Sequence, residues 1–311
     1  MLRVKLICNW CTSSLLVNEW GLMTESVDSI EDIRTGHTTR FIYKNIELVS
    51  DEPADYYVII NMPYSPTVHY VPERTIVFQM EPWVSDPSLN WGVKTWGDWA
   101  QPDENKFLAV RGRQQHVHNN AFWELELSLK ELRTMSFSNK RDTLSSMCSS
   151  KYYDPGHILR VDLLKYLENK RDIPLDIFSY DNNLNFKNYR GPLYHYVNKS
   201  QGYVDYKYYF MMENNFEMNF ITEKVYEPIL CECLVFYFGC PNVTEYIDEK
   251  AIVILDPNNF EKCYETIKTA IRENWWELRL PYIQQMKKKI LDELCFLPVI
   301  HKILNNKHDT Q

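Results

Sequence analysis

The sequence predicts an α/β protein built from two Rossmann-like domains facing across a cleft, with a helix at its carboxyl end. Three observations carry this reading. A chain of 311 residues has the length of about two domains. Two continuous apolar runs near the amino end, Asp55–Met62 and Thr75–Met80, each stop at a proline-containing turn, the mark of strands covered on both faces of a parallel sheet. Similar runs recur in the second half, spaced by helical segments, and no repeat of solenoid period interrupts them.

In chain order, Val4–Asn9 reads as a buried strand, followed by a polar turn at Cys11–Ser14 and a short helix. Arg40–Leu48 alternates and reads as another strand. Asp55–Met62 and Thr75–Met80 follow, then a weak strand at Lys106–Val110 and a helix over Phe122–Arg133 that crosses between domains. The second series opens with a strand from Thr143 to Cys148. A helix at Gly156–Asn169 offers Ile158, Leu159, Val161, Leu163, Leu164 and Leu167 to a core, and Leu175–Tyr180 is a strand. Asp181–Gly202 is polar and loop-like. After the central stretch described below come a strand at Ala251–Leu255, a helix from Asn259 to about Arg272 and one long amphipathic helix over Tyr282–Leu304. The domains divide as 1–134 and 135–311.

Net charge is −8 and the pI about 5.6, which argues against nucleic acid or an anionic membrane as the main partner. Nine glycines leave no glycine-rich phosphate loop, and neither G-x-G-x-x-G nor a P-loop occurs. Met1–Cys8 is too short in apolar run for a signal peptide or a membrane span, so a soluble, cytoplasmic protein is expected. In that setting the eight cysteines are expected as free thiols and the sequons at Asn198 and Asn242 carry little meaning. Cys8-Asn9-Trp10-Cys11 is formally C-x-x-C, but no second such pair completes a zinc site. His116 and His118 form a lone H-x-H without carboxylate partners. No metal or cofactor is expected.

The most informative stretch runs from Tyr206 to Cys240. It reads as a buried strand, a polar loop, a helix and a second buried strand. Thr222 is a good N-cap, and Glu223 and Lys224 then open the helix. A helix start has unpaired N–H groups and partial positive charge, so it favours an anion, and Lys224 adds a full charge. Glu213 and Asn214 stand at the carboxyl end of the preceding strand, where ligands bind in open α/β sheets. The combination suits a sugar nucleotide, with pyrophosphate on Lys224 and ribose or sugar hydroxyls on Glu213, Asn214 and Glu223.

The pattern Tyr206-Lys207, Glu213-Asn214, Phe220-Ile221-Thr222-Glu223-Lys224 resembles the donor-binding signature of the α1,3-fucosyltransferases, glycosyltransferase family 10. Residue types, spacing and strand–helix context agree within this stretch, and weaker agreement extends through most of the C-terminal half. Phe220 stands where the family usually has Tyr, which removes a hydroxyl that could contact the donor. The resemblance implies the GT-B architecture, an N-terminal acceptor-side domain and a C-terminal donor domain. It further implies an inverting transfer of fucose from GDP-fucose to a hydroxyl of a glycan acceptor carrying GlcNAc or Glc. No D-x-D motif is present, so protein cations must neutralise the leaving diphosphate. Lys224 is the first such cation. Arg160, in the first turns of the helix after Asp154-Pro155-Gly156, is the second, matching an arginine of the family.

Glu81, in Gln79-Met80-Glu81-Pro82-Trp83 directly after a strand, resembles the glutamate that the family uses as general base. Glu223 has two readings: a bond to ribose or sugar hydroxyls, or support of positive charge developing on the sugar. A first-turn glutamate favoured by the helix dipole is the plain alternative. Glu213 either contacts the sugar or ties down the Thr222 loop, and Phe220 either stacks or packs. Trp83, Trp91, Trp96 and Trp99 cluster after the proposed base. Trp83 and Trp91 are the acceptor-binding candidates, beside the reading of a loop packed on the N-terminal domain. The rival functions are a transferase of this fold using another GDP- or UDP-sugar, and a catalytically silent protein that binds nucleotide or glycan.

Overall fold

A computed structural model describes residues 1–112, 121–137 and 139–308. The chain divides into two compact units. Unit 1 comprises Met1–Asn120, Leu127–Thr134 and Leu291–Gln311, and unit 2 comprises Ala121–Glu126 and Met135–Ile290. This differs from a division at 134/135 in two places. The terminal segment belongs to unit 1, because Phe296 enters its core against Trp20 and Phe78, with ring centroids 4.6 Å from each. Ala121–Glu126 belongs to unit 2.

In unit 1 the strands are β1 (Leu2–Cys8), β2 (Phe41–Tyr43), β3 (Ile46–Val49), β4 (Tyr56–Ile60), β5 (Thr75–Phe78) and β6 (Ala109–Arg111). They form one sheet in the order β2-β3-β1-β4-β5-β6. All pairings are parallel except β2 with β3. The stretch expected as one strand at Arg40–Leu48 is a hairpin turned at Lys44-Asn45, with Tyr43 opposite Ile46. Helices α1 (Ser13–Gly21), α2 (Ile30–Arg34) and α3 (Leu129–Thr134) accompany the sheet. Thr12 caps α1 by accepting from the Leu15 amide.

Unit 2 holds β7 (Arg141–Met147), α4 (Pro155–Lys170), β8 (Leu175–Phe178), β9 (Tyr189–Gly191), β10 (Tyr206–Met212), α5 (Glu223–Leu230), β11 (Leu234–Phe238), β12 (Ile252–Ile254), α6 (Phe260–Arg272) and α7 (Trp275–Lys289). Its sheet is parallel throughout, in the order β12-β11-β10-β7-β8-β9. The chain starts at β7, winds outward to β9, then returns to β10 on the other side. The junction of β7 and β10 is therefore the topological switch point of a doubly wound sheet, where the first and fourth connections diverge. β10 and β11 are almost entirely buried, which accounts for their unbroken apolar sequence.

Two expected helices take other forms. Of the span Phe122–Arg133 only the part from Leu129 on is helical, within α3. Residues 121–127 are irregular, and from Trp123 the sequence Trp-Glu-Leu-Glu-Leu alternates with a period of two. Trp123, Leu125 and Leu127 are buried while Glu124 and Glu126 are half-buried. The terminal helix is broken. α7 runs into a π-helical turn at Ile290–Leu294, and α8 (Phe296–His308) follows. Pro298 cannot donate to the carbonyl of Leu294 and its ring crowds that carbonyl, so a continuous helix fails there. Among the described residues no helix is long and apolar enough to cross a membrane.

Candidate functional site

The carboxyl ends of β7 and β10 open on a cavity of about 290 Å³ in unit 2. The loop after β7 supplies Cys148, Ser149 and Lys151 to its wall, α4 supplies His157 and Arg160, and α5 supplies Glu223 and Lys224. Asn214, just past β10, also lines it. The structure thus brings together four of the expected donor residues: Arg160, Asn214, Glu223 and Lys224.

Glycine sets how closely α4 approaches. The Gly156 N–H donates to the Asn214 carbonyl at 3.2 Å. A Cβ at Gly156 would sit 1.8 Å from the Glu213 carbonyl oxygen. Only glycine lets the first turn of α4 rest on the end of β10. One turn on, Arg160 is almost wholly buried. It donates from Nη1 to the Met212 carbonyl at 2.9 Å and from Nη2 to Asn214 Oδ1 at 3.3 Å. Its Nε is buried and has no hydrogen-bond acceptor among the described residues. His157 Nδ1 lies 3.3 Å from Asp154 Oδ2. Burial, aided by the charges of Arg160, Lys151 and Lys224, pushes the His157 pKa down to about 4, so the ring is neutral at pH 7.

α5 begins as its sequence predicts. Thr222 Oγ1 accepts from the Lys224 amide at 3.4 Å. The Thr222 hydroxyl and amide in turn donate to the two oxygens of Glu213, at 2.7 and 2.9 Å. Glu213 is completely buried, with Gly239 packed against its side chain. Of its two readings, the structure shows the tie to the Thr222 loop. Glu213, Thr222 and Phe220 are buried and do not line the cavity, so the expected ligand contacts by these three are corrected to support of the wall. Burial raises the Glu213 pKa to about 7 against the pull of Lys224. Lys224 Nζ is 2.8 Å from Glu223 Oε1, and this side chain keeps 30% of its surface exposed. Desolvation lowers the Lys224 pKa, but Glu223 and Glu213 outweigh it and leave the group above its ordinary value.

Sequence reasoning missed a second cluster on the same cavity. Lys199 is buried between Glu124, 2.7 Å from Nζ, and Glu227, 2.8 Å from it. Glu227 also accepts from the Tyr203 hydroxyl at 3.0 Å and the Glu124 amide at 2.7 Å. His195 Nδ1 pairs with Glu124 Oε2. Glu124, His195, Lys199, Tyr203 and Tyr180 all line the cavity. The signal that could have found Glu124 is the two-residue alternation of 123–127, which turns both of its glutamates to one side.

The remaining candidates lie in unit 1. Glu81 follows the carboxyl end of β5 and is exposed. Trp83 and Trp91 are half-buried, in a loop closed by the Val93 N–H donating to the Pro82 carbonyl at 3.0 Å. Trp99 packs against Tyr70 and Phe107 and so serves the fold. Val84, a β-branched residue, holds a φ of 57°, which places a strained backbone three residues past Glu81. Cys8 and Cys11 are free thiols with sulfurs 3.4 Å apart. His116 and His118 lie outside the described residues. Among the described residues no group of three or more His, Cys, Asp or Glu side chains is placed to hold a metal ion.

Neither a family model nor a curated protein matches the sequence. Solved structures do resemble the fold. An α-glucosyltransferase in complex with UDP and a 13-mer DNA containing a central A:G mismatch gives a TM-score of 0.55 at 9% identity, over 97% of this chain and 99% of that one. A mutant of S. aureus TarM in complex with fondaparinux, α-GlcNAc-glycerol and UDP gives 0.51 at 12% identity, over 80% of this chain and 55% of that one. An α1,3-fucosyltransferase with GDP gives 0.47 at 15% identity, over 94% and 90%. The chain has the α/β fold of GT-B glycosyltransferases, with two parallel-sheet units and a terminal helix.

Proposed function

We propose that the chain is an inverting glycosyltransferase that holds a nucleotide diphosphate sugar in unit 2 and transfers the sugar to a glycan hydroxyl. The observation that carries the reading is the meeting of Arg160, Lys224, Lys151 and two helix starts at one cavity at the switch point of the sheet. These groups supply what a departing diphosphate needs: hydrogen-bond donors and positive charge in a partly desolvated place. Glu223, paired with Lys224, is within the cavity to accept from a hydroxyl of the ribose or sugar. Glu81 acts as general base. As the acceptor oxygen attacks the anomeric carbon, its proton passes to Glu81 and the bond from that carbon to the phosphate oxygen breaks. The diphosphate then leaves with the electron pair, and the configuration inverts.

The Tyr206–Lys224 signature favours GDP-fucose as donor. The UDP bound in the two better-matching structures supports a UDP-sugar as the second reading. Replacing Glu81 with Gln tests the mechanism. Transfer from GDP-fucose to a GlcNAc-terminated oligosaccharide is expected to fall at least about a hundredfold, within the usual contribution of a general base. GDP binding should be unchanged, and EDTA should not inhibit. Unaltered turnover in the variant would remove Glu81 from the reaction, and inhibition by EDTA would show that protein cations alone do not serve the diphosphate.

A further inference from the structure

The two charged clusters share one cavity. Arg160, Lys151, Lys224 and His157 line it, and burial together with the three cations lowers the His157 pKa. Lys199 bridges Glu124 and Glu227 at 2.7 and 2.8 Å, and Glu124, Lys199 and Tyr180 line the cavity too. Glu223 links the clusters: it is 2.8 Å from Lys224 Nζ, and its charge also acts on Lys199 and Glu227. The cavity thus offers cations, a hydroxyl-accepting carboxylate and a carboxylate beside aromatic rings. A nucleotide asks for the same three, at its diphosphate, ribose and base.

Resting on the reading that unit 2 binds a nucleotide diphosphate, we infer that Glu124 is the base-recognition residue and that its carboxylate selects guanine over uracil. Glu124 Oε2 accepts from Lys199 and pairs with His195, while Oε1 takes no hydrogen bond from a described residue. Lys199 and His195 hold the carboxylate in place and hold it ionised. Its pKa lies well below the usual carboxylate range, since the pull of Lys199 and His195 overcomes the effect of burial. The free oxygen asks for a donor. Guanine presents two adjoining donors, N1–H and the exocyclic amine, on one edge. Uracil presents a single N–H between two carbonyl oxygens, which a carboxylate repels. A site built to hydrogen-bond a ligand donor discriminates strongly against a ligand that lacks it. Tyr180 is half-exposed at this part of the cavity, with the rings of Tyr194 and His195 at 5.6 and 6.1 Å, and offers a face on which a base can stack.

The test is calorimetric titration of the whole chain, natural and Glu124→Gln, with GDP, IDP, UDP and inorganic pyrophosphate. GDP is expected to bind the natural protein at least about tenfold more tightly than UDP, the scale of one good base-edge contact. IDP, which keeps N1–H and lacks the amine, should fall between them. In Glu124→Gln the ratio of GDP to UDP affinity should shrink to within about threefold while pyrophosphate binds as before, because only the base contact is altered. Equal binding of GDP and UDP by the natural protein, or a preference that survives Glu124→Gln, overturns the assignment while leaving the nucleotide site intact. Failure of both nucleotides and pyrophosphate to bind overturns this and the parent reading together. Should the variant not fold, the GDP, IDP and UDP series on the natural protein decides alone.

Discussion

Glu213 shows how one side chain serves the site without touching a ligand. Both oxygens are bonded to Thr222, which starts α5 and so aims Lys224. Its carboxyl titrates at about 7 in the folded protein and has an ordinary value of 4.5. A carboxyl whose folded pKa is raised binds more protons folded than unfolded, so its contribution to stability is full below the unfolded pKa and is lost as pH rises through the folded one. Stability should therefore fall between about pH 4.5 and pH 7 on account of this group, by on the order of 1–3 kcal/mol. Glu213→Gln keeps an acceptor for the Thr222 amide and a donor for its hydroxyl, and should flatten that slope. Denaturation midpoints at pH 5 and pH 8 check this, and an unchanged pH dependence would mean that Glu213 is ionised throughout. The importance of Glu213 is visible in sequence, at the end of a strand before a capped helix, but which of its two roles it takes depends on burial that the sequence does not print.

At the scale of elements, the helices that frame the cavity are legible because their signals are local. Thr222 before Glu223-Lys224, and Asp154-Pro155-Gly156 before a periodic run, mark the starts of α5 and α4 without reference to the rest of the chain. Glu124 was not legible as a site residue. Its bond to Lys199 spans 75 positions, and the segment carrying it was read at the helical period although it alternates at the strand period. The break before α8 could have been read from Pro298. The contact between α4 and β10 makes a sharp prediction. In Gly156→Ala the new methyl meets backbone, so α4 must shift away from Asn214. A loss of about 1–3 kcal/mol in stability, the usual cost of overpacking, should accompany a loss of GDP binding. The two are read by denaturation and by titration, and a stable variant that binds GDP normally would show that α4 does not set the site.

For the whole molecule, the sheet order of unit 2 explains why one cavity collects residues from 124 to 224. The chain leaves β7 in one direction and returns at β10 on the other side. The loops at their carboxyl ends therefore diverge and leave a crevice between them. Alternating apolar strands and helices were enough to predict the two α/β units. They did not predict the return of residues 291–311 to unit 1 or the inclusion of 121–126 in unit 2, since both follow from side chains finding partners far along the chain. The central claim is that this crevice binds a nucleotide diphosphate through protein cations. Titration of GDP into the natural protein and Lys224→Met, with EDTA present, tests it most directly. The account predicts saturable one-to-one binding that weakens by about ten- to a hundredfold in the variant, the worth of one charge-assisted bond to phosphate. Binding that is alike in the two proteins, or the failure of GDP and UDP both to bind, would contradict it.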